Sequence, residues 1–298
     1  MAILEAHVKK LDVEKCELGE GPHYDVMSDT AWWFDIVGKK LFEHNFQTGS
    51  TQTHTLPIMG SVISTINSQT QLLAMEDGLY LRDIKNSELT LLAALEAEKE
   101  HTRSNDGRVH PSGRLWIGTM GKQAQHQAGA IYWFDGQEVR TLFEGITIPN
   151  SICFSPDGRV GYFADTGVNT IWRVSLDPLT ALPISEPEVF LTGSHLPLGG
   201  GFDGCITDAD GVLWSAAWGA GSVTGFAPDG SVLQTIEVPA AQTTCPCFVG
   251  SELNRMIVTT AYQGYSKEQQ LADPGAGYTY LINSDFKGQK DHAFRLEQ

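Results

Sequence analysis

Residues 148–174, IPNSICFSPDGRVGYFADTGVNTIWRV, are three short apolar runs cut by two turn signals, Ser-Pro-Asp-Gly at 155–158 and Asp-Thr-Gly at 165–167. Runs of this length, rich in Ile, Phe, Tyr, Val and Trp and bounded by Pro, Asp and Gly, predict strand–turn–strand–turn–strand. Asn150 stands at the start of the first strand, and Gly158 lies eight residues on, in the turn at its far end. Extended chain of that length covers roughly 26 Å at ~3.3 Å per residue, the height of a small sheet. The side chain at position 150 is thus held at the edge of the sheet opposite the turn.

The unit recurs. Asn105 precedes Gly113 of His-Pro-Ser-Gly by eight, with Arg-Leu-Trp-Ile following, and Asp203 precedes Gly211 of Asp-Ala-Asp-Gly by eight, with Val-Leu-Trp-Ser following. A looser copy starts at Glu20, turns near Met27–Thr30 and continues Ala-Trp-Trp-Phe-Asp; degenerate copies begin at Gly60-Ser61 and Thr244-Cys245. The anchors 20, 61, 105, 150, 203 and 244 are separated by 41, 44, 45, 53 and 41 residues. Self-similarity at 40–50 residues with several strands per repeat is the signature of a β-propeller. The chain is therefore expected to be all-β, a six-bladed β-propeller forming one domain over residues 1–298. Each blade's innermost strand lines a central channel, so the anchors should face one another at one mouth of it.

Composition agrees. Apolar content of 41%, with 31 glycines and 13 prolines in 298 residues, suits a turn-rich β chain with an ample core. The best helical candidate, Leu89–His101, is short and isolated and reads as the end of a blade running into an acidic connector. A formal charge of −16 argues against nucleic acid and anionic membranes as partners. The start MAILEAHVKK lacks a signal-peptide pattern, and no apolar run approaches 18 residues, so a cytoplasmic location is expected. Five cysteines (16, 153, 205, 245 and 247) without zinc-ribbon spacing read as buried small hydrophobes, with a redox role for Cys245-Pro-Cys247 as the rival. His101, His126 and His195 lack metal-ligand spacing and read as surface residues. Gly219-Ala-Gly221 reads as a hairpin turn rather than a phosphate loop.

Residues near Ala6–Leu11 alternate weakly and are expected to close the ring by adding a strand to the last blade, beside Tyr278–Ile282. Two connectors stand out, the polar Gly121–Gly129 and the glycine-rich Thr192–Gly201. The second runs into Asp203 and is a candidate for the channel rim or a lid.

In a propeller Glu20, Asn150 and Asp203 converge. Two carboxylates and an amide oxygen are hard ligands suited to Ca²⁺, Mg²⁺ or Mn²⁺, with Zn²⁺ possible through the carboxylates. Two carboxylates brought together in a partly dehydrated channel cost several kcal/mol per ion without a counter-charge, which one divalent metal ion supplies. Three protein ligands leave positions open for water and substrate. Taken singly, an Asn or Asp at a strand start reads as a local cap; taken as a set, the three read as a metal-binding channel mouth. Arg103 and Asn105 add a cation and an amide suited to a hydroxylated or carbonyl-bearing ligand. Trp218 either walls the channel or packs in the core.

Leu18-Gly19-Glu20-Gly21-Pro22, Arg103-Ser104-Asn105-Asp106-Gly107 with Gly118-Thr119-Met120, Pro149-Asn150-Ser151 and Phe202-Asp203-Gly204-Cys205 resemble, in order, the motifs of the SMP-30/gluconolactonase/regucalcin family. The resemblance covers nearly the whole chain. It implies a divalent metal held by Glu20, Asn150 and Asp203, a sugar lactone contacted by Arg103 and Asn105, and Asp203 as general base. After Gly-Thr-Met, animal members carry a glutamate that reaches the substrate; here the chain reads Gly121-Lys122-Gln123, and Gln123 falls at that place, so the identity of the sugar does not carry over. The implied activity is metal-dependent opening of an aldonolactone to its acid. The rivals are a broader metal-dependent esterase or phosphotriesterase, and a non-enzymatic calcium-binding propeller.

Overall fold

A computed structural model describes residues 7–296. Each repeat folds into a four-stranded antiparallel sheet with its anchor on the innermost strand, and the six innermost strands contact one another around a common axis. The blades span residues 19–55, 60–94, 102–146, 149–192, 201–237 and 243–283. The result is the six-bladed β-propeller expected from the repeat. Leu89–Ala94 is the outer strand of blade 2, and the one α-helix among the described residues is the six-residue Lys267–Ala272. Among the described residues no helix is long and apolar enough to cross a membrane.

The repeated turns form as their residues require. Gly158 sits at φ +68°, and its N–H donates to Ser155 O at 2.8 Å, closing the Ser-Pro-Asp-Gly turn. Gly219 and Gly221 also have positive φ, in the turn between Leu213–Trp218 and Ser222–Phe226.

Each of the six innermost strands carries a register irregularity beside its anchor, at Glu20/His23, Gly60/Val62, Ser104/Gly107, Asn150/Cys153, Phe202/Cys205 and Thr243/Pro246. A bulge bends its strand and re-aims a side chain. Here the six irregularities recur beside the six anchors.

Between blades, six apolar clusters fill the six seams. Trp116, Ile131, Phe154 and Phe163 fill the seam of blades 3 and 4, and Ile206, Trp214, Phe248 and Met256 that of blades 5 and 6. Successive side chains along each strand point to opposite faces of the sheet, and apolar residues on both faces bury every blade against two neighbours.

Two devices close the ring. His7–Lys10 is the outermost strand of blade 6, pairing Val8 with Ile282 and Lys10 with Tyr280; of the expected strand, Ala6 lies outside the described residues. The second device has no repeat signature. Beyond Asn283 the chain crosses the turn-side face as a strap. Gly288 N donates to Leu253 O, the Gln289 amide to Thr207 O, and Phe294 N to Thr65 O, while Phe294 stacks on Phe134 at 5.5 Å. Buried Asp291 accepts from Arg108 at 2.8 Å and from Tyr24 N at 2.9 Å, and lies 3.4 Å from the His23 ring.

Candidate functional site

Glu20, Arg103, Asn105, Gln123, Asn150 and Asp203 all line one cavity of about 440 Å³ at the mouth of the channel. They come from blades 1, 3, 4 and 5, up to 183 residues apart in sequence; Trp218 forms part of the wall. Four of the six anchors therefore meet as expected. The other two do not reach the cavity. Ser61 Oγ donates to Ser104 Oγ at 2.8 Å, and Thr244 Oγ1 donates to Gly19 O at 2.6 Å. Their short hydroxyls are consumed in fastening one inner strand to the next.

The rim differs from expectation. Gly121–Gly129 contributes Lys122, Gln123 and Ala124, and the loop after blade 6's second strand contributes Gln263 and Gly264. The 192–201 connector is instead tied to Asn169, through Gly193 N to Asn169 O and Asn169 Nδ2 to Gly200 O. Lys122 pairs with Glu76 and also donates to Glu100 O at 2.8 Å.

Aspartates that the sequence reading passed over hold the strands bearing Glu20 and Asn150. Asp165 accepts from Thr147 N, Ile148 N and Gly167 N, all at 2.9 Å. Asp35 does the same in blade 1, accepting from Glu17 N, Leu18 N and Gly38 N. The available signal was an Asp closing the second strand of both repeats, Trp-Phe-Asp at 33–35 and Phe-Ala-Asp at 163–165.

Glu20 and Asp203 are buried, 6% and 4% exposed, and their carboxyl groups perturb each other electrostatically. Burial, with the nearby Asp106 carboxylate, pushes Glu20 up to about 8. Burial, then Glu20 and Asp106, raises Asp203 well above the ordinary carboxylate range. Burial pulls Arg103 down to about 10 against the attraction of Glu20, Asp203 and Glu76. Beneath them, burial brings Asp106 up to about 6 although Arg108 and two backbone N–H groups oppose it.

Asn105 Nδ2 donates to Asn150 Oδ1 at 2.8 Å, Arg103 Nη1 donates to Asn105 Oδ1 at 2.8 Å, and Asn150 Nδ2 donates to Thr166 Oγ1 at 2.8 Å. Asn150 Oδ1 retains a second lone pair, and Asn150 lines the same cavity as the two carboxyls. Among the described residues no three His, Cys, Asp or Glu side chains gather as a metal cluster; the set here is two carboxylates and one amide oxygen. That is a hard donor set with two charges to be offset, and it fits a divalent cation of the Ca²⁺, Mg²⁺ or Mn²⁺ type.

The five cysteines are free and buried. Burial drives the Cys245 and Cys247 thiols well above their ordinary range, so both stay protonated, as small hydrophobes do.

Residues 18–262 match the family model described as SMP-30/Gluconolactonase/LRE-like region. A Rhizobium meliloti (strain 1021) protein provisionally named a sugar lactone lactonase is 49% identical over 94% of each chain. A Pseudomonas putida 6-deoxy-6-sulfogluconolactonase is 30% identical over 93% of this chain and 94% of its own. A solved structure from Agrobacterium tumefaciens str. C58, described as a calcium-binding protein, regucalcin, superposes with a TM-score of 0.95 at 44% identity, covering 99% of this chain and 100% of the other. With the propeller, the ordered motifs and this match over most of its length, the chain belongs to the SMP-30/gluconolactonase/LRE-like family.

Proposed function

We propose that this protein is a metal-dependent lactonase that opens a sugar (aldono) lactone to the corresponding aldonic acid. The observation that carries the reading is the convergence of Glu20, Asn150 and Asp203 in one cavity, where two buried carboxyls bring together charge that a divalent cation would offset. The names of the relatives from Rhizobium and Pseudomonas support the same reaction class.

Glu20, Asn150 and Asp203 are the ligands. Bound there, a divalent ion supplies Lewis-acid polarisation of the lactone carbonyl and a positive charge opposite the developing oxyanion. Arg103, fixed by Ser104 O and Asn105 Oδ1 at 2.8 Å each, keeps further N–H groups for the hydroxyls or ring oxygen of the sugar. Asn105 and Gln123 line the same wall and complete the substrate contacts. Asp203, once ionised, takes a proton from the attacking water and returns one to the departing ring oxygen. Trp218 and Met120 give the cavity an apolar side that limits water around the reacting bond.

The test is a pH-stat assay on a panel of aldonolactones, aryl esters and phosphotriesters, with the protein stripped of metal and then reloaded with Ca²⁺, Mg²⁺, Mn²⁺ or Zn²⁺. Lactone hydrolysis that disappears on stripping and returns on reloading is expected. Unchanged hydrolysis after stripping would overturn the metal's role. Aryl esters outpacing every lactone would favour the broader esterase, and tight Ca²⁺ uptake with no turnover would favour a calcium-binding role.

A further inference from the structure

The cation site depends on an amide oxygen, and an amide is nearly symmetric in shape. Turned by 180° about its last torsion, Asn150 would present an NH₂ group to the cation instead of a lone pair. Its surroundings permit one orientation. At one end of a chain of hydrogen bonds stands Arg103, which can only donate; its Nη1 contacts Asn105 at 2.8 Å, so the contacted atom is Oδ1. Asn105 then donates through Nδ2 to Pro149 O at 2.9 Å and to Asn150 Oδ1 at 2.8 Å. At the other end stands the Phe202 carbonyl, which can only accept. Thr166 Oγ1 gives its one proton to that carbonyl at 2.6 Å, so toward Asn150 it can only accept, from Nδ2 at 2.8 Å. Donation runs inward from both ends, so the oxygen of Asn150 is fixed as an acceptor, in the cavity that Glu20 and Asp203 also line.

We propose that Thr166 is a positioning residue for the cation site: its hydroxyl bridges Asn150 to the backbone beside Asp203, holds the amide oxygen toward the cavity, and thereby sets cation affinity. The inference rests on the reading of Asn150 as a ligand. Thr166 suits this task by its backbone as well. Its N–H donates to Ile148 O at 3.0 Å, two residues before Asn150, and Asp165 beside it anchors the same strand start. The side chain reaches across the seam to blade 5, where its methyl group lies against Gly201. One hydroxyl thus couples the ligand of blade 4 to the strand carrying the ligand of blade 5.

The experiment is titration of the metal-stripped protein with Ca²⁺ and with Mn²⁺ alone, followed by calorimetry, for the wild type, Thr166→Val, Thr166→Ser, Asn150→Ala and the Thr166→Val/Asn150→Ala double variant. Thr166→Val keeps the shape and removes the hydroxyl; partners of metal ligands typically matter about 10–100-fold in affinity, and a weakening in that range is expected. Thr166→Ser should bind within about 3-fold of the wild type. Asn150→Ala should cost less in the Thr166→Val background than alone, because the oxygen it removes is already misplaced. If Thr166→Val does not fold, Thr166→Ala takes its place in the same cycle. Wild-type affinity in Thr166→Val, additive losses in the cycle, or a loss in Thr166→Ser equal to that in Thr166→Val would overturn the proposal while leaving Asn150 a ligand. Asn150→Ala binding as tightly as the wild type, or a wild type that takes up neither ion, would instead remove the reading beneath it.

Discussion

Position 203 carries two demands on a single carboxylate, since Asp203 is read both as ligand and as base. Asp203→Asn retains an oxygen donor of the same shape but loses the basic group. Turnover of the best lactone should fall by about 10³-fold or more, within the range general bases contribute, while the thermal midpoint of the stripped protein stays near that of the wild type. Steady-state rates beside a melting curve check this. Position 20 lends itself to a pH test. The folded-state value of Glu20 is raised to about 8, so the native state holds a proton that the unfolded chain has released above the ordinary carboxylate range. Stability of the stripped wild type is then lost as pH rises toward 8. Glu20→Gln mimics the protonated form. Stripped of metal, the variant should match the wild type near pH 5 and exceed it at pH 8 by up to a few kcal/mol; with Ca²⁺ added the order should reverse. Urea unfolding at the two pH values reads the difference.

Among the elements, the inner strands depart most from regular form, and the departures sit at the site. Gly21 follows Glu20 at φ +56°, and a Cβ there would lie 1.9 Å from Ser61 O. Only glycine fits that bulge. Gly21→Ala should cost at least about 2 kcal/mol, from strain at positive φ and displacement of the neighbouring backbone. It should also weaken Ca²⁺ binding, since the bulge aims Glu20; urea unfolding and calorimetric titration measure the two effects. In blade 4 the equivalent position is Ser151, a non-glycine at φ +55° whose hydroxyl donates to Asp203 O at 2.5 Å. Strain is retained there where the side chain fastens the next site strand. These bulges were not legible in the eight-residue spacing, which measures strand length but not how the residues within it pair.

Over the whole molecule, ring closure relies on the strap as well as on the borrowed strand. Asp291 brings together Arg108 of blade 3, Tyr24 N of blade 1 and Cys247 of blade 6. Removing one partner of a buried charge pair leaves the other uncompensated, at about 3–5 kcal/mol. Asp291→Ala should lower the thermal midpoint by roughly 10 °C. Burial raises the Asp291 carboxyl, but Arg108, then His23 and Tyr24 N, more than offset that and hold it below its usual range. A depressed carboxyl stabilises above its unfolded value of about 3.9 and loses that contribution as pH falls through the folded value. The gap between wild type and Asp291→Ala should therefore persist from pH 5 to 8 and shrink below about pH 4. Scanning calorimetry across that range tests it.

From the amino-acid order alone came the blade count, the strand that lines the channel, and the anchors Glu20, Asn105, Asn150 and Asp203, because a repeated strand–turn length places equivalent positions at equivalent heights whatever the contacts between blades. Tertiary structure decided the rest. Ser61 and Thr244 occupy anchor positions yet bond to neighbouring strands; the rim comes from 121–129 and Gln263 rather than 192–201; Thr166 and Asp291 join partners 36 and 183 residues away. Those assignments depend on which atoms meet across a seam or beneath the ring. Periodicity along a chain carries no information about such meetings, since they are set by the rotation of one sheet against the next.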